Sequence, residues 1–495
     1  MFCARVPPAT AVPSNIAIML NMADSLAALR SVAESPTVEI LSAAFSRAGH
    51  ELALVGGPVR DALLGRPVND LDFTTSASPE EIIRIVKPHS SALWDVGREF
   101  GTIAARVLDE TVEITTYRAD SYDADSRKPE VVFGDTLEGD LRRRDFTVNA
   151  MALRLPGQVL VDPANGVDHL LARVLRTPST PEQSFSDDPL RMLRAARFAA
   201  QLNFRVDEEV SAAMARMADR LTIISAERIR DELNKLLLSD IPRVGISLLV
   251  DSGLAERFLP ELPALTLTQD DHKRHKDVYE HSLTVLDQAI ALEYERSTDE
   301  VFVPNLVVRL AALLHDIGKP PTRRFEPGNV VTFHHHDVVG AKMVKKRLRE
   351  LRYDNDTIKA VARLVELHLR FFGYTDAKWS DSAVRRYVRD AGPYLEELHI
   401  LVRADVTTRN VRKADRLAFA YDDLENRIEE LSKEEEMNAV RPDLNGEQIM
   451  AILDLRPGPI VGQAYAFLME LRLDHGPQSE EAATAALLEW YRDPA

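Results

Sequence analysis

Two aspartates separated by a single residue follow a glycine turn in the first part of the chain. Gly56 and Gly57 come directly after the apolar run 52–55, and Asp70 and Asp72 lie on the next segment with strand character. Residues i and i+2 of a strand project from one face, which brings the two carboxylates together. Because neighbouring like charges are unfavourable without a cation, and Mg²⁺ prefers oxygen ligands, the pair predicts a catalytic magnesium site for pyrophosphate-releasing transfer. Two solvated aspartates at a strand edge are the alternative.

The residues around this pair are suited to hold a nucleoside triphosphate. Gly57 allows the backbone to approach a ligand at a helix start, where free N–H groups favour phosphate, and Arg60 follows one turn later. Arg144 offers a planar fork to phosphate, and Asp145 can accept a hydrogen bond from a ribose 2′-OH. A structural turn and a surface ion pair are the alternatives. Glu113 is either a third metal carboxylate or a half-exposed strand residue, and it stays outside the catalytic set.

Four charged residues recur in steps of three along a predicted helix. They are Asp188, Arg191, Arg194 and Arg197. Such a row forms a ridge along one side of a helix, which predicts that the four side chains share a nucleotide-binding surface. Asp188 also precedes Pro189 and is therefore a good helix N-cap, which is the alternative explanation. Three arginines beside one carboxylate exceed what capping requires.

Residues of a metal-binding type are spread through the middle of the chain. They are His281, His315, Asp316, His336, His368 and Asp405. Neutral imidazoles combined with carboxylates suit a transition metal, or Mg²⁺ where the carboxylates dominate, so the set predicts a divalent metal site of open identity. Ordinary core and surface positions in a purely structural domain are the alternative.

The elements that must position these groups change character near residue 178. The strands predicted before that point are 52–55, 70–74, 102–108 and 111–117. Between them, 59–64 is a predicted helix closed by Gly65, and Ser78 with Glu81 forms a capping box for another helix. Beyond residue 178 nearly every segment has helical periodicity. The predicted fold is an α/β head, with a small mixed sheet and helices, followed by a long all-α body.

Four segments resemble signatures of one known family. Segment 56–72 is similar to the signature of the polymerase-β-type nucleotidyltransferases, in the branch that holds bacterial CCA-adding enzymes and poly(A) polymerases. Segment 143–150 resembles a second signature of that branch. Segment 187–191 resembles its nucleotide-selecting motif, with Asp-Asp where the family usually has Glu-Asp. The histidines and aspartates of 281–405 are similar to the HD phosphohydrolase superfamily. The resemblance covers nearly the whole chain from about Leu26.

The resemblance implies template-independent addition of CCA to the 3′ end of tRNA from CTP and ATP, with Mg²⁺ in the head and release of pyrophosphate. Cytosine and adenine both present an amino donor beside a ring-nitrogen acceptor, whereas uracil and guanine present a carbonyl beside a protonated nitrogen. Asp188 as acceptor and Arg191 as donor would therefore admit C and A. The alternatives are a poly(A) polymerase acting on another RNA 3′ end and an HD phosphohydrolase acting on RNA ends or nucleotides.

Composition and charge limit the remaining possibilities. A net charge of -17 argues against a protein that coats nucleic acid, although a local basic groove is compatible with it. The lone cysteine, Cys3, excludes an intrachain disulfide, and no stretch reaches the ~20 apolar residues of a membrane span. We therefore expect a cytoplasmic enzyme with no membrane contact and no obligate protein partner. The oligomeric state stays open.

Breaks in the pattern predict five segments. They are a disordered extension at 1–25, the nucleotidyltransferase head at 26–175, a nucleotide-selecting and RNA-binding helical domain at 176–270, an HD metal-binding domain at 271–410 and a helical tail domain at 411–495. Met22 is an alternative start to Met1, because the regular helical pattern begins just after it.

Overall fold

The computed structural model describes most of the chain. The described residues are 22–95, 97–118, 136–267, 278–299, 301–327, 330–371, 373–374, 379–408, 410–435 and 441–492. The predicted extension at 1–25 lies outside them except for its last four residues, which are helical because the first helix begins at Met22. The chain divides into two compact units between Pro260 and Glu261. The domain boundaries predicted within each unit remain predictions.

A mixed sheet forms the centre of the first unit. Its strands among the described residues are β1 Leu52–Val55, β2 Leu71–Thr75, β3 Ser90–Trp94, β4 Thr102–Val107, β5 Glu110–Thr116, β6 Ala152–Leu155 and β7 Val159–Val161. Their order across the sheet is β3-β4-β5-β2-β1-β6-β7. β2 and β5 are parallel, and the other neighbouring pairs are antiparallel. The predicted small mixed sheet is confirmed, while β3, β6 and β7 were not predicted.

The middle strand β1 brings the chain to the glycine turn. It lies between β2 and β6, and its four apolar residues are all buried. After β1 the chain turns at Gly56, whose φ of 76° lies in the left-handed region that favours glycine. The next helix therefore begins at Gly57, directly at the end of a central strand.

Helices cover the sheet and complete the first unit. They are α1 Met22–Ala33, α2 Pro36–Arg47, α3 Gly57–Leu63, α4 Pro79–Val86, α5 Leu137–Arg142, α6 Gly166–Leu171, α7 Pro181–Asp187, α8 Leu190–Leu202, α9 Glu208–Met217, α10 Ala226–Leu237, α11 Pro242–Asp251 and α12 Ala255–Phe258. The short strands β8 Val174–Leu175 and β9 Arg205–Val206 pair in parallel. α8 packs against α10 and α11, and nearly all of its residues are buried. A helix buried in this way must supply a partner for each charged side chain it carries.

Helices dominate the second unit, which confirms the predicted helical body. They are α13 Val278–Arg296, α14 Leu306–Leu314, α15 Lys319–Thr322, α16 His336–Glu350, α17 Asn355–Leu367, α18 Asp381–Ala391, α19 Leu395–Ala404, α20 Val411–Glu435, α21 Gly446–Leu453, α22 Pro459–His475 and α23 Glu480–Arg492. A hairpin of β10 Arg324–Glu326 and β11 Val330–Thr332 interrupts this helical series. The helices α13, α14, α17 and α19 contact one another. Within the described residues, no helix combines the length and apolar character needed to cross a membrane.

Gly318 occupies a position in the second unit where a side chain has no room. A Cβ at this residue would lie 2.0 Å from the carbonyl oxygen of His336 and 2.7 Å from the backbone nitrogen of Gly340. The backbone that leads into α15 therefore packs directly on the first turns of α16. This contact holds the segment after His315 and Asp316 against the helix that starts at His336.

We expect Gly318→Ala to lower the free energy of unfolding by ~1–3 kcal/mol or more, because backbone atoms would have to move. Denaturant and thermal unfolding measure this loss. The matched control is Gly462→Ala inside α22, where a Cβ meets nothing within 4 Å and alanine favours the helix. The control variant should be as stable as the parent or slightly more stable. Equal stability of the two variants would contradict the packing argument.

Candidate functional site

Three carboxylates meet where β2 and β5 run side by side. The parallel register sets Asp72 opposite Glu113, and Asp70 immediately precedes β2. The pKa of Asp72 is raised to about 6, first by burial and then by the negative charges of Glu113 and Asp70, against the opposing charges of Arg144 and Arg60. A bound cation relieves this kind of repulsion, so the residues fit a hard cation such as Mg²⁺.

The three acids form an open group. In the described part of the chain, their oxygens do not all lie within 4.8 Å of one another, whereas two sets of ligand atoms in the second unit do. Mg²⁺ usually keeps several waters and binds through one or two carboxylates plus substrate phosphates. An open group of acids therefore suits an ion that must also accept oxygen ligands from a bound triphosphate.

The glycine turn brings two of the predicted phosphate-binding arginines close to these acids. A Cβ at Gly56 would lie 3.1 Å from Nη1 of Arg144, and a Cβ at Gly57 would lie 3.9 Å from Nη2 of Arg60. Both guanidinium groups can therefore approach the backbone between β1 and α3. Gly57 and Arg60 of one predicted segment lie together here with Arg144 of another, and both arginines act on the pKa of Asp72.

A hydrogen-bonded chain connects α3 to α8. Arg60 donates to Asp61 and, through Nη1, to Oδ1 of Asn149 at 2.7 Å. The amide of Asn149 donates to Oδ1 of Asp145 at 3.0 Å, and Nε of Arg194 donates to Oδ2 of Asp145 at 2.8 Å. Burial alone would raise the pKa of Asp145, but Arg194 and the bond from Asn149 hold it well below its usual range. Asp145 is therefore ionised at neutral pH.

Asp145 already uses its oxygens inside the protein. Oδ1 also accepts from the backbone N–H of Phe146 at 2.7 Å, and Oδ2 also faces Nη2 of Arg194 at 2.5 Å. A carboxylate offers about four lone-pair positions, and these four donors fill them. Holding Arg194 therefore accounts for the burial of Asp145, while its contact with a ribose hydroxyl stays a prediction.

Asp188 and Arg191 lie at the start of α8. Oδ1 of Asp188 accepts from the backbone N–H of Leu190 at 3.1 Å, so this oxygen caps the helix start, as the alternative interpretation predicted. Arg191 is buried; its Nη1 donates to Oγ of Ser184 at 3.0 Å, and its Nη2 donates to the backbone carbonyl of Arg143 at 2.6 Å. The guanidinium of Arg191 is thus fixed in place before any ligand arrives.

Three arginines, two of them from the row along α8, lie around the ring of Phe198. Arg197 is buried, with Nε 2.7 Å from Oε2 of Glu232 and its guanidinium carbon 4.0 Å from the centre of the Phe198 ring. Arg60 and Arg194 approach the same ring at 5.2 and 5.5 Å. Each step of three residues turns by about 300° around a helix, so the row drifts by about 60° per step. Despite this drift, Arg194 and Arg197 both reach the ring of Phe198, and the nucleotide-binding role predicted for the row stays a prediction.

Asp140 is a residue of this site that the sequence analysis missed. It is fully buried, and its carboxylate accepts from Arg143 at 2.7 Å, Arg144 at 3.2 Å, Thr74 at 3.3 Å and the backbone of Arg118 at 3.3 Å. Burial would raise its pKa, but Arg144 and Arg143 lower it. Asp140 therefore ties the arginine pair to β2, the strand of Asp72. Its spacing, three and four residues before two arginines on a helix, is a signal that could have found it.

All six predicted metal ligands of the second unit come together, and we call them the HD cluster. Two sets of ligand atoms each lie within 4.8 Å: one from His281, His315 and Asp405, the other from Asp316, His336 and His368. Nε2 of His281 lies 2.9 Å from Oδ1 of Asp405 and 3.3 Å from Nε2 of His315. Nε2 of His315 lies 3.2 Å from Oδ2 of Asp316, which links the two sets.

The imidazoles of the HD cluster are oriented by their own backbone. Nδ1 of His315, His336 and His368 each contacts the carbonyl oxygen three residues earlier, at 2.9, 2.8 and 2.7 Å. A carbonyl only accepts, so each Nδ1 carries a proton, and Nε2 is the ring nitrogen that each of these histidines turns toward the cluster.

Among the described residues, two of these nitrogens find no hydrogen-bond donor or acceptor in good geometry. Nε2 of His368 and Nε2 of His336 are buried and lack a hydrogen bond, although the latter lies 3.3 Å from Oδ1 of Asp316. Burial lowers the pKa of His368 to about 4, and the charge of His315 adds to this, so the ring is neutral at pH 7. Buried, neutral and unpartnered imidazole nitrogens next to carboxylates fit a divalent metal.

Three family models match the chain in order. "Poly A polymerase head domain" matches residues 52–176, "Probable RNA and SrmB- binding site of polymerase A" matches 203–265, and "HD domain" matches 278–410. The fold is similar to that of a Bacillus stearothermophilus CCA-adding enzyme solved with CTP, at a TM-score of 0.67 and 23% identity, covering 92% of this chain and 98% of the other.

Curated relatives match over most of their length. An A-adding tRNA nucleotidyltransferase of Deinococcus radiodurans is 36% identical over 88% of this chain and 95% of the relative. A CC-adding tRNA nucleotidyltransferase of Thermus thermophilus is 33% identical over 88% and 93%. A CCA-adding enzyme of Streptococcus suis is 32% identical over 84% and 87%. With this identity over nearly whole relatives, the chain belongs to the family of tRNA nucleotidyltransferases that includes the CCA-adding enzymes.

Proposed function

We propose that this chain adds the CCA sequence to the 3′ end of tRNA, using CTP and ATP and releasing pyrophosphate. The observation that carries the proposal is the meeting of Asp70, Asp72 and Glu113 with Arg60 and Arg144 around the turn after β1. Relatives that act on tRNA match nearly end to end, which favours tRNA over a poly(A) tail as the product. The cytoplasmic location expected from the sequence belongs to the same proposal.

In this proposal, some residues of the first unit hold the metal ion and others bind the triphosphate. Asp70 and Asp72, with Glu113 as a candidate third ligand, would hold Mg²⁺, which when bound polarises the phosphate under attack and neutralises charge on the leaving pyrophosphate. Arg60 and Arg144 would bind the triphosphate, since their planar forks lie beside these acids.

The base would be read at the start of α8. A carboxylate oxygen of Asp188 accepts from the exocyclic amine that cytosine and adenine share, and a nitrogen donor of Arg191 meets the adjacent ring nitrogen. Uracil and guanine would leave both protein groups mispaired, at ~1–3 kcal/mol per contact. Arg194 and Arg197 keep their predicted nucleotide-binding role in this proposal by fixing Phe198 and Asp145 around the pocket.

The relatives carry three different activities, and one experiment separates them. Purified protein is incubated with tRNA that lacks CCA and with tRNA that ends in CC, supplying each of the four nucleoside triphosphates singly and CTP with ATP together. CCA addition predicts that the first tRNA gains two cytidines with CTP alone and the full end with both nucleotides. A CC-adding enzyme would stop after two cytidines, an A-adding enzyme would extend only the second tRNA, and a poly(A) polymerase would continue with ATP.

Asp72→Ala should reduce addition to background in the same assay, because losing a metal ligand costs several kcal/mol of transition-state stabilisation.

We propose a second, separate function for the HD cluster as a divalent-metal phosphohydrolase acting on phosphates of RNA ends or nucleotides. The unpartnered, buried Nε2 atoms of His336 and His368 favour it over a purely structural domain. A purely structural core does not require four imidazoles and two carboxylates in one place, with the imidazole nitrogens directed at the cluster.

The matched pair His336→Ala and His334→Ala tests the HD proposal, because His334 is exposed only two residues away. We expect His336→Ala to weaken Mn²⁺ binding more than about tenfold and to abolish hydrolysis of 2′,3′-cyclic and terminal phosphates. His334→Ala should match the parent, and both variants should still add CTP and ATP. Absence of metal binding and hydrolysis in the parent, across a panel of divalent metals, would favour the structural alternative.

We expect Asp140→Asn to weaken CTP binding because it releases Arg143 and Arg144 from their buried acceptor. Breaking a buried pair costs ~3–5 kcal/mol of stability. Steady-state kinetics should give a raised KM for CTP, and thermal unfolding should give a lowered Tm. Glu138→Gln on the same helix, which removes an exposed pair with Arg154, is the control and should change neither quantity. An unchanged KM in Asp140→Asn would mean that Asp140 serves stability alone.

A further inference from the structure

The carboxylate of Asp188 is held from two sides. Oδ1 accepts from the backbone N–H of Leu190 at 3.1 Å, and Oδ2 lies 3.0 Å from Nη2 of Arg228, which donates to it. Two donors at opposite oxygens fix both the position and the plane of a carboxylate. Each oxygen has two lone pairs, so the two donors from the described part of the chain leave one acceptor position on each oxygen.

We propose that Arg228 is a specificity-determining residue, which fixes Asp188 so that its free lone pair meets the amino group of cytosine or adenine. The proposal rests on the base-reading role of Asp188 in the proposed function. Arg228 acts through Asp188 and is therefore a positioning residue.

Arg191 could also pair with Asp188, but its donors already have other partners. Arg191, three residues along, donates to Ser184 and to the backbone carbonyl of Arg143, and it is buried. Arg228 comes from a different helix, α10, and is the guanidinium that reaches Asp188. The two arginines therefore have separate partners: Arg191 is held by Ser184 and Arg143, and Arg228 holds the carboxylate of Asp188.

The helix that carries Arg228 is itself fixed to α8. Glu232, one turn further along α10, pairs with Arg197 at 2.7 Å, and both side chains are buried. Ser225 caps α10 by accepting from the backbone N–H of Arg228. The base of the Arg228 side chain is thus held, while the side chain itself is 51% exposed. A half-exposed ion pair of this kind adds little to stability, so a purely structural role would leave almost no trace.

Losing the hydrogen bond from Arg228 to Asp188 should change which bases the protein accepts. A carboxylate held only through Oδ1 can rotate and aim Oδ2 at a protonated ring nitrogen. Uracil and guanine present that group where cytosine and adenine present an acceptor. Removing Arg228 should therefore relax the exclusion of UTP and GTP more than it impairs use of CTP and ATP.

The test compares kcat/KM in Arg228→Ala and Arg228→Lys, for CTP and UTP on tRNA lacking CCA and for ATP and GTP on tRNA that ends in CC. We expect Arg228→Ala to lower the CTP-to-UTP and ATP-to-GTP ratios by about fivefold, with an unchanged Tm. Arg228→Lys should restore part of the ratio, since lysine keeps one charged donor. Arg216→Ala, which removes an exposed pair with Glu182 on neighbouring helices, is the matched control and should keep the parent ratios.

A double-mutant cycle with Asp188→Ala separates this inference from the proposed function. If Arg228 acts through Asp188, adding Arg228→Ala to Asp188→Ala should change the ratios no further. Altered ratios in Asp188→Ala with parent ratios in Arg228→Ala would overturn the role of Arg228 and leave base reading intact. Parent ratios in both variants would overturn base reading and this inference together. Sharper ratios or tighter CTP binding in Arg228→Ala would show that Arg228 obstructs the pocket, which also overturns it.

Discussion

Helix α8 carries Arg191, Arg194 and Arg197 into a part of the first unit where nearly every residue is buried. A buried charge without a partner costs several kcal/mol, so each guanidinium must meet an acceptor supplied by another element. Arg191 meets a backbone carbonyl of the loop after α5, Arg194 meets Asp145, and Arg197 meets Glu232 of α10. These three pairings fix α8 relative to the sheet and to α10. The start of α8, where we propose that the base is read, is thereby held in place by pairing of its buried charges within the protein.

The sequence predicted the part of the fold in which local signals agree. β1, the glycine turn, α3 and β2 follow one another within a short span, and the capping box at Ser78 marks α4 as it does in the structure. β3, β6 and β7 were missed for different physical reasons. β3 is an edge strand without clear alternation of buried and exposed residues, and β7 has three residues. β6 is stabilised by pairing with β1, a partner almost a hundred positions earlier, which local pattern does not reveal.

Residue types indicate which side chains could take part in the two sites, whereas the directions of those side chains depend on the tertiary structure. The six residues of the HD cluster were all identified, yet the orientation of the rings depends on where helices end: His315 and His368 each follow the last residue of a helix and turn Nδ1 back to its carbonyls. Asp145 and Arg197, which are predicted to bind the nucleotide, each have a charged partner within the protein. Spacing along the chain does not show whether an arginine pairs within the protein or binds a ligand, because both need the same acceptor geometry.

The two clusters differ in how their ligands are held, and this difference suits two kinds of metal chemistry. In the HD cluster, three imidazoles are anchored by backbone carbonyls, and the ligand atoms form two sets of three, each set within 4.8 Å, which suits a divalent metal. In the head, Asp72 and Glu113 are carried by adjacent parallel strands and balanced by Arg60 and Arg144. Closing that group into a cage would leave no room for triphosphate oxygens among the ligands of Mg²⁺. In the proposed function, Arg60 and Arg144 bind the phosphates that also ligate the metal ion, so nucleotide binding and metal binding would depend on each other.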